Sequence, residues 1–256
     1  DTYWDGRKPY LVYDSLYVLP NATLSIAAGS TIYFHKDAFV AVWGSIEANG
    51  SVDAPIVFRG DRLDKAFESY PYDKVSAQWQ GIEIYPSNRV SHFNNCNIRN
   101  AVIGLLVNGL TSDEPLPLIL NNTVIHNNSY AGLFALYANI TAKNCQITNS
   151  GNFNVMLTTG GRYNFFHCTM ANYYGLDPGT KSSSKPGFLL GNAIKLSESQ
   201  YVADLEEANF YNCIIDGNLA DEISLQYAEG YQLNFLFDRC ALKMSDSLLI
   251  KFPNNF

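Results

Sequence analysis

Charge is scarce in this chain. Only 16% of its 256 residues are charged, and 17 Lys and Arg face 24 Asp and Glu, for a formal net charge of −7. This argues against nucleic acid as a partner, because phosphate-backbone binding needs clustered cations to displace counterions. No stretch approaches the roughly eighteen consecutive apolar residues of a membrane-crossing helix, so no transmembrane segment is expected. The opening DTYWDGRKPY carries neither the charged nor the apolar region of a signal peptide. The four histidines, His35, His92, His126 and His167, form no H-x-x-x-H pair and fall in different sequence surroundings, which makes them surface or turn residues. The five cysteines form no C-x-x-C pair, and no phosphate-loop, nucleophile-elbow or dinucleotide fingerprint occurs. No metal or cofactor is therefore expected. A helical period of apolar residues is also missing, which leaves a βαβ sheet without its helices.

What is present is apolar residues, 47% of the chain, arranged as a repeat. The cysteines sit in similar surroundings: NNCNIRN around Cys96, KNCQITN around Cys145, FHCTMAN around Cys168, YNCIIDG around Cys213 and DRCALKM around Cys240, with NNTVIHN carrying Thr123 in the same place. The spacings from Cys96 through Thr123 to Cys240 are 27, 22, 23, 45 and 27 residues, the coil lengths of a β-solenoid with one enlarged winding. Two residues after each comes Ile98, Ile125, Ile147, Met170, Ile215 or Leu242, on the same strand face by the period of two. Asn100, Asn127, Asn149, Asn172 and Asn218 follow at the next corner. Asparagine tolerates the left-handed turn required there, and stacked amides can bond from coil to coil, so an asparagine ladder is expected.

A second strand follows about ten residues later, marked by Leu105, Leu133, Val155, Ile223 and Leu248, and in the enlarged winding by Phe188, twenty residues after Cys168. A winding of about 22 residues cannot bury its own apolar side, but stacking at about 4.8 Å seals a continuous core. The reading is an all-β, single-stranded right-handed parallel β-helix spanning 1–256 as one domain, with loop insertions at 61–79, 173–186 and 193–207. A β-sandwich is the competing fold, and it would make the in-phase Cys and Asn positions coincidental. The cysteines are expected as a buried file of reduced thiols, because in-register neighbours lie about 4.8 Å apart whereas a disulfide needs Cβ atoms about 3.8 Å apart. The chain closes on SLLIKFPNNF with no evident capping segment. An uncovered last coil follows, hence either further sequence after Phe256 or end-to-end oligomers.

The coil pattern resembles the right-handed β-helix proteins of the pectin-lyase-like superfamily. More narrowly, RKPYLVYDSLYV, LSIAAGSTIYF, PIVFRGDRLD, WQGIEIY and NFYNCII resemble the secreted or lipid-anchored β-helix surface proteins of gut Bacteroidetes. This resemblance implies export to the cell surface; the chain, beginning at Asp1, would then be a processed form. Lyases and hydrolases of this superfamily act through basic residues beside acidic calcium ligands, or through several acids on adjacent coils.

Function on a solenoid tends to sit in inserted loops. The segments 61–79 and 173–186 both precede second strands, which puts them on one edge, and they carry Phe67, Tyr70, Tyr72, Trp79, Tyr173 and Tyr174. Aromatic faces on polar loops can stack on sugar rings, so carbohydrate recognition or adhesion is the leading reading. A polysaccharide lyase or glycoside hydrolase is the second, with Asp204, Glu206, Glu207, Asp216, Asp221 and Glu222 as candidate acids. A structural spacer or stalk is the third. The tripeptide Arg59-Gly60-Asp61 is read as a turn after PIVF rather than as a recognition motif.

Overall fold

The computed structural model describes residues 1–67, 69–175 and 183–256. Its strands stack in parallel around three faces. Face one begins with Thr2–Trp4, Thr23–Ala27 and Ser45–Asn49 and ends with Leu205–Tyr211 and Leu236–Asp238. Face two is a nine-stranded sheet running from Tyr10–Val12 through Cys96–Arg99 to Ala241–Leu242. Face three runs from Ser15–Val18 through Trp79–Ile84 to Ile223–Gln226. The long strands Ala131–Lys143 and Phe153–Phe166 each turn a corner, pairing first on face three and then on face one. Inward positions alternate with outward ones, as in Thr23–Ala27, because successive side chains of a strand point to opposite faces.

The cysteines form the expected file. Gln146 pairs with Thr169, Thr169 with Ile214 and Ile214 with Ala241, which stacks Cys145, Cys168, Cys213 and Cys240 on successive windings. All five thiols are free. Each turns back to the carbonyl two residues before it, as Cys168 Sγ does to Phe166 at 3.4 Å and Cys213 Sγ to Tyr211 at 3.4 Å. Thr123 Oγ1 makes the same bond to Asn121 at 2.9 Å, which is why a hydroxyl substitutes for a thiol there. The residue before each is left-handed: Asn95, Asn122, Asn144, His167, Asn212 and Arg239. This is the corner between faces one and two.

The corner between faces two and three departs from expectation. Asn100, Asn127 and Asn149 are left-handed, whereas Asn172 and Asn218 are not. Nor do these amides bond one another. Asn100 Nδ2 donates to the carbonyls of Asp73 and Val75, Asn127 Nδ2 to that of Lys74, and Asn149 and Asn172 accept the N–H groups of Tyr173 and Tyr174. The inserts, arriving at this corner, take the hydrogen bonds that a ladder would have used.

Two further expectations are corrected. SLLIKF is not a strand: Asp246–Lys251 is a helix, begun after Ser245. Leu248, Phe252 and Phe256 pack on the core, with Phe256 stacked on Phe237 at 5.3 Å and Asn255 Nδ2 donating to Phe235 at 2.6 Å. This segment covers the last winding, so the argument from an open end to an end-to-end oligomer does not hold there. Trp79 is not a ligand-facing aromatic. It is fully buried, stacked on Phe34 at 3.9 Å with its indole N–H on the Arg99 carbonyl at 2.8 Å. A β-bulge between Gly81 and Ile82 shifts the strand's phase and turns Trp79 inward with Ile82 and Ile84.

Candidate functional site

The outward side of face two carries a polar file. Tyr33 pairs with Arg59, Arg99 with His126, His126 with Thr148, and Ala171 with Asp216; Arg59 and Arg99 follow the paired Phe58 and Ile98. Two neighbouring guanidiniums on a ladder repel each other. The first insert supplies the compensation: Asp73 Oδ1 meets Arg59 at 3.0 Å and Arg99 at 3.1 Å. The short turn Tyr72–Lys74 that carries Asp73 is held from below by Asn100 and Asn127, and by Gln78 Nε2 donating to the carbonyls of Tyr72 and Val75 at 2.7 Å each. Arg62 lies over the Tyr72 ring at 4.0 Å. Phe67 and Tyr70 stack on each other at 5.2 Å across the small pair of strands Lys65–Phe67 and Tyr70–Pro71.

The second insert leaves the same corner four windings on, after Thr169–Asn172. Its segment 176–182 lies outside the described residues. Tyr173 is anchored by its N–H on Asn149 Oδ1 at 3.0 Å and by its hydroxyl on Asp216 Oδ2 at 2.7 Å. That hydroxyl and the Gly217 N–H hold the Asp216 carboxyl below its ordinary range, and Asp216 in turn raises the Tyr173 phenol. The insert's far end is held by Glu222, a buried carboxylate that accepts Gly187 N–H and Leu219 N–H at 2.7 Å each. Burial raises the Glu222 pKa despite those two bonds. A side chain at Gly217 would place Cβ 2.2 Å from Glu222 Oε1, which explains the glycine.

The two inserts touch. Ser76 Oγ and the Tyr174 hydroxyl are 2.7 Å apart. Beneath this bridge lies a cleft of about 300 Å³ lined by Asp73, Lys74, His126, Asn127, Asn149, Tyr173, Tyr174 and Gly175. His126 is held down at about 4 by burial and by the neighbouring Arg99 charge, so the imidazole is neutral near pH 7. Of the six candidate aromatics, Tyr173 and Tyr174 line the cleft and the other four do not. Sequence reasoning treated His126 as an ordinary surface histidine. Its place is fixed only by the register that sets it between Arg99 and Thr148.

The six candidate acids lie on one winding, on different faces. Glu206 and Glu207 belong to the face-one strand Leu205–Tyr211 and Asp204 precedes it, whereas Asp216 ends face two and Asp221 and Glu222 occupy the corner beyond. Each has a partner. Arg162 Nε donates to Glu206 at 2.8 Å, Asn209 Nδ2 to Glu207 at 2.6 Å, the Gln232 N–H to Asp204 at 2.8 Å, and the Ser245 N–H to Asp221. Asp216 and Glu222 clamp the second insert. Arg59, Gly60 and Asp61 are not displayed as a recognition loop: the first two end the strand Ile56–Gly60, Arg59 pairs with Asp73, and Asp61 pairs with His35 at 2.7 Å. Among the described residues no three His, Cys, Asp or Glu side chains come together to hold a metal ion, and no helix is long and apolar enough to cross a membrane.

Single parallel strands stacked in three faces, with two inserted loops at one corner, define a β-solenoid. The chain belongs to the right-handed β-helix family, whose description as a right handed beta helix region matches residues 80–236. Among solved structures, the A-module of the Azotobacter vinelandii mannuronan C-5 epimerase AlgE6 superposes with a TM-score of 0.42, over 94% of this chain and 80% of that one, at 10% identity. No curated protein matches.

Proposed function

We propose that this protein is a secreted or cell-surface β-helix that recognises carbohydrate in the cleft between its two inserts. The observation that carries this reading is the bridged cleft itself. Tyr173 and Tyr174, the amides of Asn127 and Asn149, and an Asp73 carboxylate already neutralised by two arginines converge on one space. A sugar presents C–H faces that pack on aromatic rings and hydroxyls that both donate and accept, and this lining offers partners for both. The neutral imidazole of His126 can donate or accept without adding a charge. Export is supported by the likeness of the strand motifs to exported β-helix surface proteins. The candidate acids, each bound to a structural partner and spread over two faces, favour recognition over hydrolysis or elimination. A glycan array tests the reading. Tyr173→Ala is expected to weaken or abolish every signal the wild type gives, while Phe67→Ala and Tyr70→Ala, outside the cleft, retain it. An array with no signal, or signals indifferent to Tyr173, overturns it.

A further inference from the structure

The two asparagines in the cleft have orientations that their partners force. Asn127 faces the carbonyl of Lys74 at 2.9 Å, and a carbonyl can only accept, so the Asn127 amide must turn its NH2 toward it. Asn149 faces the N–H of Tyr173 at 3.0 Å, and an N–H can only donate, so Asn149 must turn its oxygen toward it. What remains is complementary. Asn127 keeps an acceptor oxygen and Asn149 keeps a donor NH2, and neither atom bonds to another described residue.

These two residues are also neighbours on the ladder. His126 pairs with Thr148 and Asn128 with Ser150, which puts Asn127 beside Asn149 at the strand separation of about 4.8 Å. In an unbroken amide ladder the two would satisfy each other. Here the donor and acceptor that such a rung would join, Asn149 Nδ2 and Asn127 Oδ1, are left by the two inserts but are not bonded to each other, so the rung is open. Both residues line the cleft, and the Tyr173 ring beside them is 38% exposed while its hydroxyl is fixed on Asp216.

We infer that this open rung reads a vicinal pair of sugar hydroxyls: Asn149 Nδ2 donates to one oxygen, Asn127 Oδ1 accepts from the adjacent hydroxyl, and the Tyr173 ring packs against the C–H face of the same sugar. The inference rests on carbohydrate recognition at the cleft and goes further by naming what on the carbohydrate is read. A vicinal pair gives each amide a partner of its own, and leaving either polar group unpaired against a bound sugar costs affinity.

The test uses the intact chain and a panel of gluco-, manno-, galacto- and xylo-oligosaccharides, each free and as its 2,3-di-O-methyl derivative. Binding is measured by calorimetry alongside the Asn149→Asp variant. Aspartate keeps an acceptor for the Tyr173 N–H and replaces the cleft donor with an oxygen, so thermal stability is expected to be unchanged. The expected result is that free sugars bind, that methylation weakens them at least tenfold, and that Asn149→Asp weakens the free sugars at least tenfold. Methylated and free sugars binding alike, or Asn149→Asp binding as the wild type does, would overturn the diol inference while leaving carbohydrate recognition standing. No binding by any member of the panel would overturn both. The methylated sugars act on the wild-type protein, so that arm holds even if the variant fails to fold.

Discussion

Replacing Glu222 with glutamine tests whether the second insert is clamped by a carboxylate. In the native chain each carboxylate oxygen accepts one backbone N–H, from Gly187 and from Leu219, and the side chain is buried. An amide has one oxygen and one NH2, so in either orientation one of those N–H groups faces another donor. An unsatisfied buried donor costs about 1–3 kcal/mol, and a chain of this size loses roughly 2–4 °C of Tm per kcal/mol. Glu222→Gln is therefore expected to melt about 2–12 °C below the wild type near neutral pH. The pH dependence has a definite sign. Burial raises the Glu222 pKa above its ordinary 4.5, so the folded chain holds the proton more tightly than the unfolded one. That contribution is complete below about 4.5 and is lost as pH rises through the raised folded value. The wild type should therefore lose stability at this position as pH rises from about 4.5 through the raised folded value, a dependence that Glu222→Gln, which does not titrate there, lacks. Melting curves by circular dichroism at intervals from pH 4 to 7.5 read both effects. Coincident curves at every pH would refute the clamp.

Trp79→Ala should cost about 3–5 kcal/mol, the range for removing a large aromatic from a packed core, read as a lowered denaturation midpoint; a variant as stable as the wild type would contradict its place against Phe34. His126 should show no NMR titration between pH 5.5 and 8, because its folded pKa is pushed down to about 4; with a folded value below the ordinary 6.5, its contribution to stability is full above about 6.5 and falls away as pH drops toward 4. Cys96, Cys168 and Cys213 should be silent to Ellman's reagent in the native chain and react in denaturant: burial pushes Cys96 up to about 12, and bonding to the neighbouring thiol pushes Cys168 and Cys213 to about the same value, whereas Cys240 is partly exposed. Several thiols reacting at once without denaturant would break the file.

The windings were legible because a solenoid repeats its constraints. A small side chain able to bond the carbonyl two residues back recurs as Cys or Thr, and the same in-phase residues that mark it in the sequence stack in the fold. The left-handed corner just before each cysteine was overlooked although the aligned copies display it as Asn, Asn, Asn, His, Asn and Arg. Asparagine's tolerance of that conformation was the available signal. Trp79 was misplaced because it was counted as the last residue of the insert, whereas it opens the strand Trp79–Ile84 and points into the core. SLLIKF was misread because a short apolar run suits a strand or a buried helix equally; the Ser245-Asp246 start signal would have decided it. The site was legible only in outline. That both inserts share an edge followed from their phase, but which of their aromatics face the cleft depends on bonds such as Ser76 to Tyr174, 98 residues apart.

The most direct measurement is a heteronuclear NMR titration of the intact chain with an oligosaccharide selected from the array, following side-chain amide, imidazole and tyrosine ring signals. Shifts centred on Asn127, Asn149, His126, Tyr173 and Tyr174 are the expected result. Saturable shifts centred on the face-one acids around Glu206 and Glu207, with the insert signals unmoved, would contradict it.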